Sequence, residues 1–398
     1  MAASDTLPIN PQLLAWARQE SGFELFRVAK RLNVKPEKVE AWEAGVRQPT
    51  MRQIQLLARF FHRPFSIFFL PKPPEVPQLA TEYRRLLGVQ PGHESPELRL
   101  ALRQMIIRRE TALNLFGELG EDVSPFALAA HLRESPADVG ACLREALSVT
   151  MNQQLAWPDE WKAWNSWRAA VENLGVLVFQ FSRVPLFEVR GLSLLRMPMP
   201  VVAINSKEVA PGARIFTLLH EVVHLMLAGG NEEQPAIQED RTGEDWASVE
   251  RFAEIAASHA LIPEAALRAE IEAASLQNSQ WALDDTRQLA RRFRVTPLAL
   301  GTRLRESGFM TWDQYHSWRE AWTAYIAALP ARKSGPVTPA VKAVGRNGRP
   351  FTQLVFEAMS ANRITSVDAA RYLDLKFQHF EKLRTLLWSG PVGLPSDE

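Results

Sequence analysis

Apolar residues recur at three- and four-residue spacing along most of this chain, and give way to short continuous runs near residues 175–205. Residues 9–70 predict a series of short helices. Leu13, Leu14 and Ala17 begin the first, which Gly22 breaks. Leu25-Phe26 and Val28-Ala29 lead a second to Leu32-Asn33. Pro36 suits the first turn of a third, running through Val39 and Trp42 to Gly45. Pro49-Thr50 opens a fourth with Ile54, Leu56-Leu57 and Phe60-Phe61, and a short apolar segment follows from Phe65 to Leu70. The proline-rich stretch 71–78, "PKPPEVPQ", marks a boundary, and 71–80 is taken as a linker. Residues 81–154 read as a helical connecting region. Its basic stretch, with Arg84, Arg85, Arg99, Arg103, Arg108 and Arg109 among Glu82, Glu94, Glu97 and Glu110, predicts a solvated helix face. Residues 126–147 predict a helical hairpin.

Four segments share an alanine, a later apolar residue, a short turn and a new helix: "VAKRLNVKPEKVEAW", "LAAHLRESPADVGACL", "LARRFRVTPLALGTRL" and "AARYLDLKFQHFEKL". Their irregular separation predicts helical hairpins with similar turn chemistry rather than a repeat array. The last, in the extension 331–398, follows a basic linker with Lys342, Arg346 and Arg349, and is a second candidate helix-turn-helix. Trp157, Trp161, Trp164 and Trp167 fall on one helical face and are expected to pack against a core.

The short runs "GVLVFQF" at 175–181 and "PVVAIN" at 200–205 predict strands, with "RGLSLL" at 190–195 a weaker third. "VVAIN" is taken as the edge that faces a ligand. Immediately afterwards Leu218-Leu219-His220-Glu221-Val222-Val223-His224-Leu225-Met226 lies in a helix apolar almost all round, closed by Gly229-Gly230. His220 and His224, four apart, share one helical face. Two imidazoles so placed suit one zinc ion, and Glu221 beside them suits a general base. The motif is short enough to arise by chance, but histidines and a glutamate left without partners inside a core helix would be costly. A hydrolytic zinc site needs a third protein ligand. Carboxylates at 231–245 sit in a Gly-, Pro- and Asn-bearing loop and are expected to be mobile and solvated. Glu250 and Glu254 share one face of the next predicted helix, Ala247 to Leu261, and His259 is expected to be packed or partly exposed.

Composition constrains the rest. With 46% hydrophobic and 23% charged residues the 398-residue chain is of ordinary globular type. No apolar run approaches the roughly 20 residues of a membrane span, and residues 1–11 lack the features of a secretory signal. The single cysteine, Cys142, forms no internal disulfide, so a reducing cytoplasm is expected; it is read as a buried small apolar side chain. Net charge is +1, so any case for nucleic acid is local. Residues 1–70 carry ten Lys or Arg against six Asp or Glu, 10 − 6 = +4. Lys35, Lys38, Arg47 and Thr50 are the candidate DNA contacts, while Glu37, Glu40 and Glu43 on the same helix would be repelled by phosphate.

Two resemblances sharpen this. The stretch "VAKRLNVKPEKVEAWEAGVRQPTMRQIQLLARFF", through Arg18, Ala29, Leu32, Val39, Trp42-Glu43, Gly45 and Pro49-Thr50, resembles the Xre/Cro type of helix-turn-helix, although Leu25 stands where that family usually has Gln. "HEVVHLML" followed by "VERFAEIAASHALIP" resembles the ImmA/IrrE metallopeptidases. Matching Ala257 and Leu261-Ile262-Pro263 to the second motif places its metal-binding glutamate at Glu250, with Phe252 on the aromatic and Ala253 on the small residue. Glu254 falls where that family often has Asn, and is assigned a supporting contact to a zinc-binding histidine, the alternative being that it competes with Glu250 as a ligand. The resemblance covers residues 9–70 and about 155–330. It implies a mainly α chain with a small α+β zincin-like metallopeptidase domain at 155–330 behind an all-α helix-turn-helix domain, using Zn2+ to make limited cuts in a protein substrate such as a repressor or antitoxin-type regulator. The alternative is a DNA-binding regulator or antitoxin-like module whose peptidase-like domain binds a partner without cutting. Neither reading involves a membrane, and oligomerisation stays open.

Overall fold

The computed structural model describes residues 8–74, 94–233, 243–276, 280–330, 335 and 337–388. Residues 75–78 of the proline-rich stretch, Glu82, Arg84, Arg85 and the loop carboxylates Glu239 and Asp240 lie outside them. The described chain is mainly helical with one three-stranded sheet. No described helix is long and apolar enough to cross a membrane.

Helices α1 (Pro11–Glu20), α2 (Leu25–Leu32), α3 (Pro36–Glu43) and α4 (Met51–Phe60), with a 3-10 turn at Phe65–Phe69, enclose a core of their own around Leu14, Val28, Val39, Trp42, Ile54, Leu57, Phe61 and Phe68. Local chemistry sets the boundaries. Pro11 and Pro36 occupy first-turn positions, and the Thr50 hydroxyl accepts from the Gln53 amide while the Gln53 side chain returns to the Thr50 amide. The Arg18 guanidinium grips Glu43 with two bonds, at 2.7 and 3.0 Å, and thereby ties α1 to α3. Glu43 is therefore committed to the fold.

The sheet consists of β1 (Leu177–Phe181), β2 (Gly191–Leu194) and β3 (Val201–Asn205), in the order β1-β3-β2. β1 runs parallel to β3 and β2 antiparallel to it. β3, the "VVAIN" strand, is thus central rather than an edge. Its residues are buried on both faces, which is what a continuous apolar run demands. β1 and β2 are the two edge strands; the alternating Gly-Leu-Ser-Leu of β2 turns Leu192 and Leu194 to one face and Gly191 and Ser193 to the other.

Each face of the sheet carries a helical layer. Val178, Val202 and Ile204 meet α8 (Glu160–Glu172) and α9 (Pro211–Gly229), backed by α10 (Gly243–Leu261) and α6 (Pro136–Ala146). Trp164 and Trp167 are buried in this layer, with Trp157 and Trp161 half-buried against it. Leu177, Phe179, Phe181, Leu192, Leu194, Val201 and Ala203 meet α5 (Pro96–Leu119) and the C-terminal helices α15 (Pro339–Asn347), α16 (Arg349–Ser360), α17 (Ser366–Leu373) and α18 (Phe380–Trp388). Phe351 stands edge-on to Phe179 at 5.7 Å. Residues 96–119 and 339–388, read from sequence as connector and extension, therefore form the second layer over the sheet. α5 is not the solvated basic helix expected from its charges. Arg109 is buried and donates to the carbonyls of Met199 at 2.7 Å, Arg196 at 3.0 Å and Met197 at 3.2 Å.

Helices α7 (Met151–Ala156), α11 (Glu264–Ala273), α12 (Leu283–Phe293), α13 (Pro297–Glu306) and α14 (Trp312–Ala328) complete the front layer. Gln154 is fully buried and holds three elements together: its amide donates to Leu261 at 3.1 Å and Phe293 at 2.7 Å, and its oxygen accepts from Arg144 at 2.8 Å. A buried amide with its bonds made rigidifies the junction of its own helix α7 with α6, α10 and α12.

Three of the four similar segments share one turn. Asn33, Arg294 and Asp374 adopt left-handed backbone at φ 52°, 57° and 47°. The next amide, of Val34, Val295 or Leu375, donates back to Ala29, Ala290 or Ala370 at 3.0, 3.1 and 3.0 Å, a Schellman closure in each. The fourth departs from expectation: 126–147 is no hairpin, because only 136–146 is helical. Residues 126–130 belong to no helix or strand, and bond from Phe126 to Pro198 and from Ala130 to Met226. They fill the groove left by Gly229 and Gly230, where a Cβ would meet the carbonyls of Leu128 at 2.4 Å and Ala130 at 2.1 Å. Cys142, expected in the core, is exposed, because the buried stripe of α6 runs through Val139, Gly140, Leu143 and Leu147.

Candidate metal centre

α9 begins with Pro211 at its first turn, ends at Gly230, and is buried on nearly every side. That burial fixes its rotation and aims His220 and His224 together at α10. Their Nε2 atoms lie 3.0 Å apart. Glu250 of α10 brings one carboxylate oxygen to 3.3 Å from Nε2 of His220 and the other to 3.5 Å from Nε2 of His224. The three offer ligand atoms that all lie within 4.8 Å of one another. Two imidazole nitrogens and a carboxylate oxygen are the donor set that Zn2+ takes in hydrolytic sites. The imidazole pair supports the same fit: nitrogens this close repel as lone pairs unless a proton or a cation lies between them.

His224 is fully buried, and its Nδ1 is hydrogen-bonded to Glu233. A proton on Nδ1 shared with that carboxylate leaves Nε2 as the lone pair facing His220 and Glu250. From the sequence the carboxylates of residues 231–245 are expected to be mobile and solvated. Glu233 departs from that, since it follows directly on the end of α9 and its side chain is fully buried. Glu254, assigned that supporting role instead, is exposed. It lies one helical turn beyond Glu250; the carboxyl of Glu306 on α13 is pushed above its ordinary value by burial, against Arg305 and Arg303, with a smaller upward push from the charge of Glu254. His259 is half-buried away from the trio, and its Nδ1 accepts from Arg303 at 3.2 Å.

Residues 171–305 match the family model of the IrrE N-terminal-like domain, Peptidase_M78. It describes a family of zinc metallopeptidases. The matched region runs from the end of α8 through the sheet to α13, and so contains all of the convergent trio. A search of curated proteins finds no match.

Glu221 follows His220 on α9 and faces β2. It is buried, and the Ser193 hydroxyl donates to its Oε2 at 2.9 Å. Gly191 makes room for it: a Cβ there would lie 2.7 Å from Oε1 of Glu221 and 2.5 Å from Cγ2 of Thr217. Gly191 and Ser193 were not singled out from sequence. The only signal for them was the alternation of "RGLSLL", since any strand beside a helix that carries an inward glutamate needs a small residue and a donor at that register. Of the DNA candidates, Lys35, Lys38 and Arg47 are exposed, with the Lys38 ammonium 5.8 Å from the Trp42 ring. The hydroxyl of Thr50 caps α4 instead of pointing away from the fold.

Proposed function

We propose that this chain is a zinc-dependent endopeptidase that makes limited cuts in a partner regulatory protein of the repressor or antitoxin type. The observation that carries the reading is the convergence of His220, His224 and Glu250 beside a buried, hydrogen-bonded Glu221. Zn2+ held by that trio would supply a Lewis acid that polarises the scissile carbonyl and makes water nucleophilic near neutral pH. Glu221 takes the proton of the attacking water and returns it to the leaving amine. Ser193 fixes the carboxylate for both transfers, and Glu233 orients His224. Edge strand β2 lies against α9 on the Glu221 side, so an extended substrate segment would add to it as a further strand.

The test is cleavage of a candidate repressor by the purified protein. Glu221→Gln should keep about one equivalent of zinc and lose cleavage, while His220→Ala should lose the metal. Undiminished cutting by Glu221→Gln would refute the reading.

A second activity rests on the N-terminal helices. Their +4 balance, and the exposure of Lys35, Lys38 and Arg47 on and after α3, favour DNA binding by this unit. It predicts binding to the chain's own promoter that weakens steeply with salt and is lost in the Lys35→Glu, Lys38→Glu double variant. Equal binding by that variant would exclude this face.

A further inference from the structure

Away from the histidines, a cleft of about 1160 Å³ opens where the N-terminal helices, α5, α8, the end of β1 and α15 meet. Its wall holds ten lysine and arginine side chains against two carboxylates, Glu97 and Asp374. Both acids are already engaged, Glu97 with Arg27 at 3.0 Å and Asp374 with Arg346 at 2.8 Å. Arg31, Arg59, Arg103, Arg108, Arg183 and Lys342 have no carboxylate within 4.0 Å among the described residues. They come from α2, α4, α5, the turn after β1, and α15. The fold therefore gathers like charge at one place, which is unfavourable unless an anion offsets it.

The like charges act on one another. Burial, and then Arg63, push the Arg103 guanidinium down to about 10; burial, and then Arg346, push Arg108 down to about 10. Burial, Arg103 and Arg183 likewise lower His62 at the rim, against an opposing pull from Asp374. Nη1 of Arg103 is buried without a hydrogen-bond partner. Two non-glycine residues lining the cleft, His62 and Arg183, hold left-handed backbone at φ 50° and 77°, a conformation retained where surrounding structure over-determines it. Aromatic surface completes the wall: Phe23 stacks on Phe60 at 4.3 Å, and Trp161 lies beneath the Arg214 guanidinium at 5.1 Å.

We infer that this cleft is a binding site for a small ligand carrying two or more phosphate groups, which it holds between the N-terminal helices and the sheet-bearing body. Arginine forks suit phosphate oxygens, several of them suit several phosphates, and the volume exceeds what one orthophosphate fills. Aromatic faces beside the cations suit a nucleotide base. Such a ligand would add to the bonds that already join these elements, among them those of Arg27 with Glu97, Arg99 with the Gln19 carbonyl and Arg103 with the Phe61 carbonyl.

The experiment is calorimetric titration of the full chain with ATP, GTP, inorganic tripolyphosphate, orthophosphate and a single-stranded oligonucleotide. The triphosphates or tripolyphosphate should bind one per chain and at least roughly tenfold more tightly than orthophosphate. Tighter binding of a nucleotide than of tripolyphosphate assigns the base to the aromatic wall; equal binding assigns the phosphate chain as the whole determinant. Arg31→Glu with Arg59→Glu, both exposed in the fold, should weaken binding by about tenfold or more, as should Arg108→Gln. Glu221→Gln should leave binding unchanged, which separates this site from the proposed peptidase centre. Three results would overturn the inference: no phosphate probe binding better than orthophosphate, unchanged affinity in the folded Arg31/Arg59 variant, or an oligonucleotide binding far more tightly than any triphosphate.

Discussion

Glu233 hydrogen-bonds Nδ1 of His224 from just beyond the end of the helix that carries the histidine. The ring is fully buried, so this carboxylate decides its tautomer and orientation. The nitrogen facing His220 and Glu250 is thereby available as a ligand. Partners of this kind commonly change metal affinity when they are removed.

Glu233→Ala should accordingly lower zinc affinity by roughly 10–100-fold in a competitive chelator titration. Glu254→Ala should leave zinc affinity unchanged, since that side chain is exposed. The reverse order would mean that Glu254, not Glu233, supports the histidines.

Gly191→Ala should displace Glu221, because the added methyl would sit 2.7 Å from its Oε1 and 2.5 Å from Thr217. The expected cost is about 1–3 kcal/mol of stability by denaturant unfolding, with zinc retained and cleavage lost. Ser193→Ala should be milder, lowering the turnover number while KM changes little, because it removes a bond to Glu221 and nothing from the bound substrate.

A third expectation concerns pH. His259 titrates below its ordinary value, chiefly through burial and then through Arg303, with Glu264 and Asp138 pulling the other way. The folded state thus binds its proton less readily than the unfolded state. Its contribution to stability is complete above the unfolded value of about 6.5 and is lost as pH falls below it. Melting temperatures between about pH 7.5 and pH 5.5 should fall further for the native protein than for His259→Gln. Identical slopes would assign the acid sensitivity elsewhere.

Phe351→Ala tests whether the C-terminal helices belong to the same cooperative body as the sheet. The ring is buried against Phe179 of β1, so the change should cost about 3–5 kcal/mol in one cooperative transition with the sheet. A separate, early transition for residues 339–388 would make them an independent appendage.

Spacing along one helix is local, and the sequence alone therefore determined a good deal. The i, i+4 pair His220 and His224, the helix stop at Gly230 and the short helices up to Phe69 all follow from periodicity and capping. So do the existence and approximate limits of the three strands. Position within the sheet was not local: "VVAIN" became the centre because its two apolar faces found two helical layers, one of them supplied by residues 339–388. Nor were partners distant in the chain legible. Glu233 and Glu254 are both acidic residues near the motif, and only the path of the chain after α9 buries one and exposes the other. Gly191 and Ser193 gain meaning only from the register that sets β2 beside Glu221. The cationic cleft is the extreme case, since six of its cations, without a carboxylate partner among the described residues, are scattered from Arg31 to Lys342 in a chain of net charge +1, and tertiary packing alone concentrates them.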